Sequence, residues 1–148
     1  MTRKKAMRIL ITGGPRTGKT TMAGKLGAEL DIPVRHTDDL VGQLSWSEAS
    51  EEIAKVWLAD PRPVIIEGVA LPRALRKWLA AHPEGKPADK IIYLSVPHVR
   101  LTDGQVAMTK GVATVWREVV PELLRRGVEI VFDPDPGQMP VAAAPASR

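Results

Sequence analysis

Eight residues near the start of the chain, GGPRTGKT at 13–20, constrain it more than any other stretch. They fit the pattern G-x-x-x-x-G-K-[ST] through Gly13, Gly18, Lys19 and Thr20. An apolar, β-branched run at 7–12 leads in. A segment of helical period at 19–30 leads out, with Met22, Ala23, Leu26 and Leu30 on one side. A glycine-rich turn between a buried strand and a helix N-terminus lets successive backbone N–H groups wrap a phosphate, and the helix dipole adds to the attraction. Gly13, Gly14, Pro15, Arg16, Thr17, Gly18, Lys19, Thr20 and Thr21 therefore form a candidate nucleotide cradle. Lys19 can bridge the β- and γ-phosphates, and the Thr20 hydroxyl can complete a magnesium shell, so ATP and Mg²⁺ are the implied cofactors. Pro15 stiffens the loop, and Arg16 points outward from its tip.

The remaining pattern repeats strand and helix. A short second strand at 33–36 is followed by Thr37, Asp38 and Asp39. Ser45 and Glu48 form a capping box for a helix whose apolar face is Ala49, Ile53, Val56 and Trp57. A third strand at 64–68, VIIEG, carries Glu67 at its C-terminal end, and a helix follows at 72–81. The fourth strand spans 90–96. Residues 97–111 are polar, contain glycine and have no clean period. A helix at 112–126 holds Val112, Val115, Val119, Val120, Leu123 and Leu124 in register, with Pro121 expected to bend it and Gly127 to stop it. VEIVF at 128–132 is the fifth strand. Alternation of short apolar strands with helices calls for a parallel sheet covered on both faces, an α/β three-layer sandwich.

Size and composition bound the rest. A chain of 148 residues suits one domain, read as 1–133, followed by a Pro/Ala-rich tail at 134–148 expected to be flexible. There is no cysteine, which excludes disulfides and fits a reducing, cytoplasmic setting. No apolar run is long enough for a membrane span, and the start reads as no signal peptide. The formal net charge is +4, from 21 bases and 17 acids, and it is unevenly spread. Bases gather in 1–25 and 72–90, and acids in 33–60. Arg73, Arg76 and Lys77 share a helix face that could contact a nucleic-acid backbone, with Arg3, Lys4 and Lys5 as further candidates. The plainer account is solvated surface charge.

Motor, switch and kinase chemistry separate on the other motifs. A guanine-reading N-K-x-D is impossible, because the chain contains no asparagine. An Asp-Glu pair closing an apolar strand is also missing. Glu67 instead stands alone at a strand's C-terminal end, where open α/β sheets bind ligands, and can hold magnesium or an acceptor hydroxyl. Asp38, at the same edge, is the candidate to take the proton of an attacking hydroxyl, and it joins Thr20 and Glu67 as a candidate metal ligand. Trp46 is the tryptophan best placed to stack on a base or staple the following helix, whereas Trp57 and Trp78 sit on apolar faces. Trp116 could edge the cleft.

Together GGPRTGKTT, HTDDL and VIIEGVAL resemble the P-loop kinases of nucleosides, nucleotides and polynucleotide ends over 9–132. The resemblance implies a P-loop NTPase three-layer sandwich with a five-stranded parallel sheet of nucleoside-kinase type. It implies ATP-dependent transfer of the γ-phosphate to a hydroxyl of a nucleoside, a nucleotide or a nucleic acid. In polynucleotide and zeta-toxin-like kinases an Asp after the second strand activates the acceptor hydroxyl, and Asp38 matches it. In the uridine-kinase-like group the third strand ends Glu-Gly-apolar, as Glu67, Gly68 and Val69 do. In size and layout the chain is also similar to small phage-encoded kinase-like proteins, some proposed to act on hydroxymethylated DNA bases. Such kinases place arginines in a lid after the fourth strand. Here the corresponding short lid, 98–111, and the helix after it offer Arg100, Lys110 and Arg117, of which Lys110 and Arg117 are the expected catalytic cations, offsetting charge on the transferred phosphoryl group. The alternative is a nucleotide-binding regulatory or nucleic-acid-binding protein with weak hydrolysis.

Overall fold

The computed structural model describes residues 7–133. The tail expected at 134–148, and Arg3, Lys4 and Lys5, lie outside the described residues. The strands are β1 (Arg8–Gly13), β2 (Val34–His36), β3 (Val64–Glu67), β4 (Lys90–Leu94) and β5 (Glu129–Asp133). The helices are α1 (Lys19–Leu30), α2 (Asp38–Val41), α3 (Trp46–Glu52), α4 (Leu71–Ala81) and α5 (Asp103–Arg125). All strand pairs are parallel, in the order β2-β3-β1-β4-β5. Helices cover both faces, giving the P-loop NTPase three-layer α/β/α sandwich.

The strands read as continuous apolar runs because both of their faces are buried. Ile9, Ile11, Ile65, Ile92 and Leu94 face α1 through Ala23, with Met22, Leu26 and Leu30 beside it. Leu10, Ile66, Ile91 and Tyr93 face the opposite layer, where α4 and α5 contribute Leu75, Trp78, Trp116 and Leu123. Trp57, Trp78 and Trp116 are core residues. Trp116 stacks on Tyr93 with ring centroids 4.8 Å apart, so it packs the sheet and does not edge the cleft. Leu124, expected in the apolar stripe of α5, is exposed. That helix runs through Pro121 as a single element and ends before Gly127.

One departure from the expected pattern has a clear cause. The helix after Ser45 widens into a π-turn at Ile53–Trp57. Its buried residues come in pairs four apart, Ala49 with Ser50, Ile53 with Ala54, and Trp57 with Leu58. An α-helix advances 3.6 residues per turn and would rotate such pairs progressively off one face. The wider turn holds them on it and leaves Val56 outside, 50% exposed.

The capping box is formed as expected. Ser45 Oγ accepts from the Glu48 N–H, and the Glu48 carboxylate accepts from the Ser45 N–H. The Ser45 donors hold the Glu48 carboxyl below the ordinary glutamate range. The folded state therefore binds this proton more weakly than the unfolded chain does. The stabilisation is complete above the ordinary value of about 4.5 and fades as pH falls through the lower folded value. Ser45→Ala is expected to lower the melting temperature at neutral pH, and by a smaller margin in acid. Thermal melts of both proteins from pH 7 to pH 3 check this.

Arg8, part of the N-terminal basic excess, is structural. Its guanidinium donates to the carbonyls of Leu58, Asp60, Lys86 and Pro87 at 2.7–3.2 Å, tying together loops at the N-terminal end of the sheet. Among the described residues no helix is long and apolar enough to cross a membrane.

Candidate functional site

β1 delivers the chain into the glycine loop, and α1 starts at Lys19. Arg16 (φ 62°) and Gly18 (φ 91°) lie in the left-handed region, a backbone alternation that turns successive N–H groups toward one concavity. At Gly18 this conformation coincides with close packing. A Cβ there would come within 2.7 Å of His98 Cε1, so a side chain would push the segment after β4 off the loop. That segment is held by the His98 N–H, which donates to the Arg16 carbonyl at 2.8 Å. The N-terminus of α1 has no side-chain cap and no acid in its first turn, leaving its N–H groups and dipole for an external anion.

Lys19 is 8% exposed and folds back over the loop. Its Nζ donates to the Gly14 carbonyl at 2.5 Å and to Thr17 Oγ1 at 3.4 Å. Burial pushes the ammonium below the ordinary lysine range, while the negative charges of Glu67 and, less strongly, Asp38 act in the opposite sense. A partly desolvated cation facing two carboxylates is held ready for a phosphate that would share its charge.

Strand order explains how those carboxylates reach it. β3 lies between β1 and β2, with Glu67 in register with Ile11 on one side and His36 on the other. Glu67 is 3% exposed. Its Oε2 accepts from Thr20 Oγ1 at 3.0 Å and lies 2.6 Å from His36 Nδ1. The turn after β2 is latched to the same edge, the Thr37 N–H donating to the Glu67 carbonyl at 2.9 Å. Gly68 (φ 150°) makes this contact possible, since any Cβ at that position would overlap the Thr37 side chain. Asp38 opens α2 directly beyond the latch. Asp38 and Glu67 consequently share a cavity of about 400 Å³ with Arg16, Lys19, Thr20 and Trp46. Pro15, Thr17, Gly18 and Thr21 also line it, whereas Asp39 does not. Gly13 and Gly14 are buried beneath the loop.

Thr20 and Glu67 offer one hydroxyl and one carboxylate side by side. Hard oxygen donors in this number suit Mg²⁺, which keeps several waters and takes phosphate oxygens for the remainder of its shell. On the other flank of the loop a cavity of about 500 Å³ is bounded by Thr17, Gly18, Lys25, Leu94, His98 and Asp133.

The expected lid bases are placed differently. Helix α5 begins at Asp103, because Thr102 and Gln105 form a second capping box. The stretch read as an irregular lid is thus a short connection followed by two helical turns. Of the α5 residues Met108 alone lines the central cavity, and with Ala107, Gly111, Val112 and Val115 it lines an adjoining one. Lys110 and Arg117 lie off the face these residues share, and neither they nor Arg100 line the cavities around the loop. The bases that do line the central cavity are Lys19 and Arg16.

The basic face of α4 is also partly engaged. Arg76 pairs with Glu118 at 3.0 Å, and Lys77 donates to the Ser47 carbonyl at 2.9 Å and lies 3.8 Å from Glu51. Arg73 has no salt bridge among the described residues, and its guanidinium sits 6.0 Å from the centroid of the Trp46 ring. The Arg35 guanidinium stacks on Trp57, 3.9 Å from the ring centroid.

No protein-family model matches the chain. The search of curated proteins also finds no match. Among solved structures, shikimate kinase from Aquifex aeolicus superposes with a TM-score of 0.54 at 18% identity, covering 95% of each chain. Thymidylate kinase from Candida albicans gives a TM-score of 0.55 at 17% identity, covering 88% of this chain and 85% of that one. At such identities the likeness speaks to the fold alone, the three-layer α/β/α sandwich that this chain shares with both.

Proposed function

We propose that the chain is an ATP-dependent phosphotransferase that moves the γ-phosphate to an alcohol. One observation carries the reading: Asp38 and Glu67 open into the same cavity as Lys19 and Thr20. In this reading the loop N–H groups and Lys19 hold the β- and γ-phosphates. Mg²⁺, held by Thr20 and Glu67 directly or through water, supplies neutralising charge when bound. His36 fixes the orientation of Glu67. Asp38 accepts the proton as the acceptor oxygen bonds to the γ-phosphorus, the bond to the bridging oxygen breaks, and ADP leaves. Lys19 and Arg16 offset charge spreading over the transferred group. Lys110 and Arg117 would take part only after a movement of α5.

A nucleoside, a nucleotide, a DNA end or a hydroxymethylated DNA base is the acceptor class that the resemblance implies. Support for a strand is thin, with Arg76 and Lys77 engaged within the chain. The absence of any lysine or arginine of 98–117 from the cavity lining favours the second reading, a nucleotide-binding protein with slow hydrolysis.

Transfer of label from [γ-³²P]ATP separates the two. The panel comprises nucleosides, mononucleotides, 5′-hydroxyl DNA and RNA, duplexes with hydroxymethylated bases, and small alcohols. ATP consumption that rises with one acceptor, with label recovered on it, is the kinase result. Slow label release unaffected by every acceptor is the result expected of the second reading.

A further inference from the structure

A second cavity of about 310 Å³ adjoins the central one and shares Trp46, Val69 and Met108 with it. Its far wall is Pro72, Val112 and Val115, and one charged side chain lines it, Arg73. We propose that this cavity seats the body of the acceptor, and that the acceptor is an alcohol with a flat apolar body and a single negative charge, a carboxylate, set against Arg73. The inference rests on the phosphotransferase reading, because continuity with the cavity of Asp38 is what makes this space an acceptor subsite.

The lining sets the chemistry. Against the buried Pro72, Val112 and Val115 wall a polyol's hydroxyls would find no partners. A nucleobase presents donors and acceptors on one edge, whereas Arg73 supplies donors only. An extended strand needs a row of free cations, and the neighbours of Arg73 on α4 are engaged with Glu118, Ser47 and Glu51. An unsaturated ring meets none of these penalties. It can lie against Trp46 on one side and the Ala107–Gly111 turn of α5 on the other. Arg73, without a salt bridge among the described residues, can then form a forked pair with a carboxylate. The carboxylate also lies away from Asp38 and Glu67, whose charges would repel it at the reacting end.

The test uses the full chain and calorimetric binding, with and without a non-hydrolysable ATP analogue. The probes are 4-(hydroxymethyl)benzoate, neutral benzyl alcohol, 4-(hydroxymethyl)phenyl phosphate, gluconate and thymidine. The benzoate is expected to bind at least ~10-fold more tightly than benzyl alcohol, the scale of a charge-assisted pair. Arg73→Gln is expected to abolish that gap, with ATP-analogue binding reporting that the variant is folded. Tighter binding of the phosphate, gluconate or thymidine, or a gap that survives Arg73→Gln, overturns the proposal. Adding ATP separates this inference from the one beneath it. An Arg73-dependent gap without phosphate ester formed keeps the subsite and removes the kinase reading. Phosphorylation of other acceptors, indifferent to Arg73, keeps the kinase reading and removes the subsite.

Discussion

Asp38→Ala is expected to lower acceptor phosphorylation by about 10³-fold, within the range for loss of a positioned general base, while the dissociation constant for ATP changes by less than about threefold. The separation follows from placement. Asp38 lines the central cavity but makes no hydrogen bond to the glycine loop, whose shape is set by Gly14, Thr17, Gly18 and Lys19. It is exposed at the start of a four-residue helix, so its removal leaves the core untouched and the melting temperature close to that of the parent. Asp39 provides the internal control. It carries the same charge one residue on, outside the cavity lining, and Asp39→Ala should leave turnover within about twofold, as surface changes away from a site usually do. Single-turnover kinetics with saturating ATP, beside an equilibrium ATP titration, measure both quantities. Unchanged turnover in Asp38→Ala would remove the proposed proton acceptor, and equal losses at both positions would point to general charge in place of a specific base.

Asp38 also shows how much of the site could be read before the fold was known. The glycine loop was legible because its pattern is local, strand, turn and helix within some twenty residues. Asp38 and Glu67 were legible individually, each as a carboxylate at the end of an apolar run. Their convergence was expected from a shared sheet edge, but the strand order that brings it about, β3 between β1 and β2, was not, since the sequence carries no local mark of it. The same order brings His36 to Glu67, a partner that no spacing in HTDDL announces. Other misses had local signals. Thr102 and Gln105 stand at capping-box spacing, and reading them would have started α5 nine residues earlier, at Asp103, inside the stretch read as a lid. The four-residue repeat of apolar pairs from Ala49 to Leu58 likewise marked the π-turn that turns Val56 outward. The Arg73 cavity had no such signal. It forms where the starts of α3 and α4 meet the start of α5, three segments far apart in the chain.

Lys19→Met is expected to separate stability from activity in opposite directions. Burial holds the ammonium below its ordinary range, against the pull of Glu67 and Asp38, so the fold without nucleotide disfavours the charged form. Between the folded value and the ordinary 10.5, the unfolded chain binds more protons at this site than the folded one, and stability rises with pH across that window. Below the folded value the penalty is present in full. Methionine has a similar reach and no charge, and it leaves no orphaned acceptor, because the Gly14 carbonyl still accepts from Thr17 Oγ1 at 3.0 Å. The variant should therefore melt at or above the parent temperature at pH 7, with the difference shrinking as pH approaches 10. Phosphoryl transfer should fall by about 10²–10³-fold, the usual loss when one preorganised group that stabilises developing charge is removed. A variant that melts well below the parent would show that Lys19 braces the loop through Gly14. A stable variant with undiminished transfer would mean that the charge on the phosphates is met elsewhere, with Arg16 the remaining base in the cavity lining.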